Sequence, residues 1–176
     1  MNTQRAKWRH PTEEEVATAW AKYDRKYRKV VARDYAASLM NETKWIALAN
    51  AWRDHWWGGP DEEPRWIEWT GTARSILDAE PFPFSTSCAD VFYPTHHERG
   101  LAYADGDPPF CLRDLEWIEF DDTLLVYRGH PGVPPGTVSQ DIEALVRLIE
   151  GLGNYPLERT ARGVRLVGHL RQPVRP

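Results

Sequence analysis

Two adjacent histidines, His96 and His97, precede the carboxylate of Glu98, and these are residue types that bind Zn²⁺. A fourth ligand from Cys88, Cys111 or His130 would complete a tetrahedral set. Adjacent residues of a strand point to opposite faces, however, and the sequence contains neither an H-E-x-x-H motif nor a C-x-x-C pair. The segment is therefore predicted to be a solvated polar loop, with no metal and no cofactor.

A second set of residues with chemical potential consists of carboxylates in the centre of the chain. Its members are Asp105, Asp107, Asp114, Glu116, Glu119, Asp121 and Asp122. Paired carboxylates hold Mg²⁺ or act as general acid and base. The D-G-D segment at 105–107 lacks the further ligands of a twelve-residue calcium loop, so a turn is the preferred interpretation. Neither face of the strand predicted at 115–120 is purely apolar, which suggests that another segment covers part of it.

Motifs for nucleophilic catalysis and nucleotide binding are missing from the sequence. There is no G-x-S-x-G, no S-x-x-K and no recognisable setting for a catalytic cysteine. The glycine- and proline-rich segment 129–134 has neither the lysine of a P-loop nor a G-x-G-x-x-G pattern. Because these motifs are missing, an enzyme is only the alternative interpretation. It would be a small metal-dependent hydrolase or nuclease-like protein that uses the histidines or the acids.

Charge is segregated along the chain, although the net charge is only −4. Residues 61–150 carry 18 acidic against 6 basic side chains, whereas 1–60 and 151–176 each have a basic excess of 4. A strongly acidic segment speeds encounter with a cationic partner and repels nucleic acid. The central segment is thus the candidate interaction surface, unless the basic ends fold back and neutralise it or the acids are simply solvated.

Nine tryptophans in 176 residues provide large side chains for a core or an interface. Trp56 and Trp57 stand at the end of a predicted helix, beside Asp61, Glu62 and Glu63. Aromatic side chains with acidic neighbours resemble the centre and rim of a protein interface. Both core packing and partner contact remain open for this pair.

Hydrophobic spacing predicts the elements that must position these residues. A capping box at Thr12 begins an amphipathic helix that the spacing carries to Leu39, and Asn41 caps a second helix. Strands are predicted at 64–72, 89–93, 101–104, 115–120, 124–128 and 163–170, a short helix or turn at 73–79, a loop at 129–136 and a third helix after Ser139. The result is one α+β domain at 12–171 with helices packed on a mostly antiparallel sheet, between a flexible N-terminus at 1–11 and a flexible tail at 172–176.

The first helix also carries a basic ridge, formed by Lys22, Lys26, Lys29 and Arg33. Nucleic-acid binding along one such ridge is disfavoured by the overall acidity, while the apolar stripe of the same helix allows self-association. The sequence has no segment of about 20 apolar residues and no secretory h-region at its start. A cytoplasmic protein without membrane partners is therefore predicted.

The segment N-E-T-K-W at 41–45, which opens a tryptophan-rich helix, resembles an uncharacterised small bacterial family associated with toxin loci. The resemblance implies the immunity-protein class, small acidic proteins that bind a toxin and block it. Basic active clefts are suitable targets for an acidic surface with aromatic anchors. The sequence therefore predicts a non-catalytic binding protein that covers the basic cleft of a cognate toxin with its central acids.

Overall fold

A computed structural model describes residues 12–57, 68–78, 80–86, 101–102, 110–126 and 136–173 of the chain. These residues form helices and mostly antiparallel strands, which confirms the predicted α+β class. The helices are α1 (Glu13–Asp34), α2 (Glu42–Trp57) and α3 (Ile142–Gly151). The strands are β1 (Tyr35–Ser38), β2 (Thr70–Ser75), β3 (Phe82–Ser85), β4 (Leu101–Ala102), β5 (Phe110–Cys111), β6 (Leu115–Asp121), β7 (Thr123–Val126), β8 (Gly136–Ser139), β9 (Leu157–Arg159), β10 (Gly163–Val167) and β11 (His169–Arg171).

Helix α1 begins where the capping box predicts. The backbone N–H of Glu15 donates to Thr12 Oγ1 at 3.2 Å, and the Glu15 carboxylate accepts from the Thr12 N–H at 2.8 Å. The predicted end at Leu39 is wrong, because the helix stops at Asp34 and the next four residues form β1. Strand β1 pairs with β11, so long-range strand pairing decides the conformation of a segment whose spacing also suits a helix.

Five strands form the central antiparallel sheet, in the order β3-β2-β6-β10-β9. Strand β2 occupies residues 70–75, so the short helix or turn predicted from 73 is wrong over its first three residues. Its second residue is Gly71, where an added Cβ would lie 2.0 Å from the carbonyl oxygen of Glu119. Glycine therefore allows β2 to approach β6 closely, a backbone requirement that residue-type preference does not reveal.

The closing strand predicted at 163–170 is divided at Gly168 into β10 and β11. The Gly168 N–H donates to the carbonyl of Glu116 at 2.8 Å, and its own carbonyl accepts from the N–H of Leu39 at 2.9 Å. Strand β10 thus stays in the central sheet, whereas β11 turns away from β6 to pair with β1.

One hydrophobic cluster joins α2 and α3 to alternate residues of the sheet. Trp45 and Trp52 of α2 are 0% and 1% exposed, and the Trp52 ring meets the Phe120 ring of β6 edge-on at 6.1 Å. Ile118 and Phe120 point into this cluster, and Glu119 and Trp117 lie on the other face of β6 because strand residues alternate. These tryptophans are core residues, as their helical spacing suggests.

Residues 123–139 contain a feature that composition did not predict. Strands β7 and β8 pair antiparallel as a two-stranded ribbon, and Ser139 belongs to β8. Asp141 is the N-cap of α3, its carboxylate accepting from the Ala144 N–H at 2.9 Å. The third helix, predicted to follow Ser139, therefore has its N-cap two residues later. Gly136, predicted as the last residue of a loop at 129–136, instead starts β8, and the rest of that predicted loop lies outside the described residues.

Several other predictions lie at or beyond the edge of the described residues. The strand at 89–93 and the flexible N-terminus at 1–11 are outside them. Gln172, predicted as the first residue of a flexible tail, donates its N–H to the Asp34 carbonyl at 3.0 Å.

Candidate partner-binding surface

The carboxylate of Glu116 is buried at the junction of β6 and β11, with 6% of its side chain exposed. Arg171 donates to it from both Nε and an Nη atom, the latter at 2.8 Å, and the Tyr35 hydroxyl donates at 3.0 Å. The Arg74 Nε lies 3.3 Å from the same carboxylate. Burial by itself would raise the pKa of Glu116. The hydrogen bonds from Arg171 and Tyr35 and the charges of Arg171 and Arg74 have the larger effect, so the net pKa of Glu116 is lowered.

Two further acids of β6 are also paired with arginines of the C-terminal segment. Glu119 accepts from Arg165 at 2.6 Å, and Asp121 accepts two bonds from Arg162 at 2.8 and 2.7 Å. Burial raises the pKa of Glu119, but its hydrogen bonds and the charge of Arg165 outweigh this effect and lower it. The Arg165 guanidinium also lies 4.9 Å from the Trp117 ring, so the outer face of β6 has cations as close neighbours.

Asp114, next to β6, is 3% exposed. Its Oδ1 has no hydrogen-bond partner among the described residues, and Arg113 Nε lies 4.0 Å from it. Burial raises the pKa of the Asp114 carboxyl to about 8, so this side chain is mostly protonated and uncharged at neutral pH.

These positions correct the predicted role of four acids. Asp114, Glu116 and Glu119 are buried, and Asp121 forms a bidentate pair with Arg162, so none of them is a free charge on an acidic surface. The physical reason is strand pairing, which sets the basic C-terminal segment beside β6. The sequence left this neutralisation open as an alternative, and for β6 it is the arrangement that the structure has.

Asp122 differs from its neighbours because its side chain is exposed and forms no ion pair among the described residues. It stands at the root of the ribbon that β7 and β8 form. Its backbone is fixed on both sides: its N–H donates to the carbonyl of Arg162 at 2.6 Å, and its carbonyl accepts from the N–H of Gln140 at 2.8 Å. The Gln140 side chain further donates to the carbonyls of Thr70 and Asp121 at 2.8 and 2.6 Å, which ties the ribbon root to the sheet.

The ribbon itself exposes aliphatic side chains. Leu125 is 66% exposed and Val138 is 51% exposed. Leu124 is paired with Val138 and Leu125 with Thr137, so Leu125 and Val138 point to opposite faces of the ribbon. A groove of about 520 Å³ is lined by Asp121, Asp122 and residues 123–125 of β7 together with Ala161 and Arg162.

The ribbon residues were not singled out from the sequence as binding residues. A strand was predicted at 124–128, but the proline-rich segment after it concealed the partner strand β8. The available signal was the pair of β-branched residues Thr137 and Val138, which is short and weak.

Other predicted site residues cannot be placed on this surface. Asp61, Glu62, Glu63, Asp105 and Asp107 lie outside the described residues, as do the histidines at 96 and 97. Trp56 and Trp57 belong to the last turn of α2, but their side chains are outside the description.

The basic ridge of α1 is on the surface, since Lys22, Lys26, Lys29 and Arg33 are all exposed. Helix α1 has no fully buried residue, and its contacts with the rest of the fold are made by partly buried side chains on one side of the helix. There the Arg113 guanidinium pairs with Asp24 and stacks 4.8 Å from the Tyr27 ring. The apolar stripe predicted for self-association thus partly faces the chain's own fold.

Within the described ranges, no group of three or more His, Cys, Asp or Glu side chains could hold a metal ion. No helix among the same residues is both long and apolar enough to cross a bilayer.

Comparison with known proteins supplies no relative from which residue roles can be transferred. No protein-family model, no curated protein and no solved structure matches this chain.

Proposed function

We propose that the chain is a cytoplasmic protein-binding protein of the immunity class, which neutralises a toxin by occupying its basic cleft without catalysis. The observation that carries the proposal is the ribbon of β7 and β8, which exposes Leu125 and Val138 on its two faces beside the exposed carboxylate of Asp122. The resemblance at residues 41–45 supports the same class.

The ribbon has the physical properties of a contact that a partner completes. A two-stranded ribbon alone is marginally stable in water, because each face leaves its side chains in solvent. Among the described residues neither strand has a second partner strand, so the ribbon edges present backbone N–H and C=O groups with which a partner strand can pair. A cleft that received the ribbon would remove Leu125 and Val138 from water at the same time.

The charge distribution assigns different roles to the apolar and acidic groups. Because Glu116, Glu119 and Asp121 are paired within the chain, apolar burial at the ribbon supplies most of the affinity in this proposal. Asp122, with its exposed carboxylate, faces a lysine or arginine at the rim of the cleft. Such rim charges mainly affect the association rate and its dependence on salt.

The test uses the toxin-like product of a neighbouring gene as the partner. We expect the double variant Leu125→Asp/Val138→Asp to bind it about 100-fold more weakly than the wild type, because two anchors become charged. Asp122→Asn should lower the association rate several-fold at low salt and have little effect at high salt. Calorimetry and surface plasmon resonance measure the two effects.

The matched control is Leu152→Asp, at the end of α3, where an exposed leucine lies in a different element. It should bind as the wild type does. Equal binding by the ribbon variant and the control would overturn the ribbon as the interface, and a folded ribbon variant that still neutralises the toxin would do the same.

A further inference from the structure

A hydroxyl and an imidazole form a close pair across β1 and β11, which belong to a different sheet from the ribbon. Ser38 and His169 are opposite one another in the antiparallel register, and Ser38 Oγ lies 2.8 Å from His169 Nδ1. Ser38 is exposed, whereas His169 is 2% exposed. The other ring nitrogen, Nε2, lies 2.7 Å from the carbonyl oxygen of Arg113.

The neighbours of the imidazole determine its tautomer. A carbonyl oxygen only accepts hydrogen bonds, so Nε2 carries a proton and donates it to Arg113. In the neutral ring Nδ1 then holds a lone pair, and the Ser38 hydroxyl donates to it. Burial lowers the pKa of His169, against the opposing effects of the Arg113 carbonyl and the Glu116 charge, which keeps the ring neutral near pH 7.

We infer that Ser38 is an activated nucleophile that accepts an acyl group from small activated esters, with His169 as its general base. The arrangement has the required order of groups: a nucleophile in contact with a base, and a base oriented by a third group, here the carbonyl of Arg113. This inference does not depend on the proposed binding function.

The surroundings provide access on one side and support on the other. Ala36 and Ala37, before Ser38, are small and exposed, so a small ester can reach the hydroxyl. On the buried side, the rings of Tyr27 and Tyr35 meet the imidazole edge-on at 6.0 and 5.5 Å. These contacts hold the ring in one orientation, as a base needs.

The chemical step transfers one acyl group. Ser38 Oγ forms a bond to the ester carbonyl carbon as its proton moves to His169 Nδ1. The bond between that carbon and the departing phenolate oxygen then breaks, and the phenolate leaves with the electron pair and takes the proton from Nδ1. The products are acyl-Ser38, neutral His169 and the free phenol.

The experiment treats the full chain with p-nitrophenyl acetate and follows p-nitrophenol release, with peptide mass mapping to locate the acetyl group. We expect acetylation at Ser38 about 100-fold faster than at Ser139, an exposed serine of β8. Ser38→Ala should remove the fast release, and Ser139→Ala should leave it unchanged.

His169→Gln tests the base, and the expected result is loss of the fast phase with Ser38 still present. Because His169 is buried, circular dichroism must first show that this variant is folded. If it is not, the comparison of the two serine variants alone decides. Acetylation of Ser38 no faster than Ser139, or fast release that persists in Ser38→Ala, would overturn the inference.

Discussion

Replacing Asp114 with asparagine is expected to raise the free energy of unfolding at pH 8 by about 3 kcal/mol. The carboxyl is buried and its pKa is about 8 in the fold, against an ordinary value of 3.8 in the unfolded chain. Its contribution to stability is therefore fully present below about pH 4 and is lost as the pH rises toward 8. Within this window each pH unit lowers the wild-type free energy of unfolding by about 1.4 kcal/mol. Local rearrangement around the ionised carboxylate offsets part of this loss, so the expected difference at pH 8 is smaller than the full sum.

The measurement is urea unfolding of wild type and Asp114→Asn between about pH 5 and pH 9. The difference between the two proteins should grow with pH through this range and level off above pH 8. Taking the difference cancels the titration of acids common to both chains. A constant difference across the range would show that the Asp114 carboxyl is ionised and accommodated in the fold.

Replacing Glu116 with alanine is expected to lower the free energy of unfolding by about 3–5 kcal/mol. The carboxylate satisfies Arg171 and the Tyr35 hydroxyl and lies 3.3 Å from Arg74 Nε, and its removal leaves these groups without their anionic partner. Part of this loss arises because the half-buried Arg74 cation would no longer have a carboxylate beside it. Glu116→Gln should lose less, because the amide oxygen still accepts one hydrogen bond.

Asp122→Ala is the matched control for this prediction, as an exposed acid without an ion pair among the described residues. It should change stability by less than about 0.5 kcal/mol. In a double-mutant cycle, Arg171→Ala should cost less in the Glu116→Ala background than in the wild type. Equal losses for Glu116→Ala and Asp122→Ala would show that the Glu116 pairs do not stabilise the fold.

The elements that local signals specify were predictable from the sequence. Thr12 and Glu15 predicted the start of α1, and the helical spacing of Trp45 and Trp52 predicted a packed α2. The strand predicted at 115–120 matches β6 except for its last residue, Asp121. These features depend on residues at most a few turns apart, where side-chain spacing and capping chemistry decide the conformation.

The sequence did not predict that the acids of β6 pair with arginines, because this pairing depends on the register between strands that are distant in sequence. Glu119 meets Arg165 only because β6 and β10 pair in one register, 46 positions apart in sequence. Nothing local to either residue specifies that register. The same reason explains β1, whose segment has helical spacing but takes a strand conformation opposite β11.

The candidate site was only partly visible from the sequence for a related reason. Asp122 was among the predicted residues, but Leu125 and Val138 become a shared apolar feature only once β7 and β8 pair. Ser38 and His169 are 131 positions apart, so no motif search connects them.

The pairing of β1 with β11 has a consequence for synthesis on the ribosome. Residues 35–38 leave the ribosome before their strand partner, residues 169–171, which is translated more than 120 positions later. Until then β1 lacks this strand partner, and the Glu116 carboxylate lacks Arg171. Contacts this distant in sequence close slowly, so β1 and β11 are expected to pair later in folding than neighbouring strands such as β2 and β3.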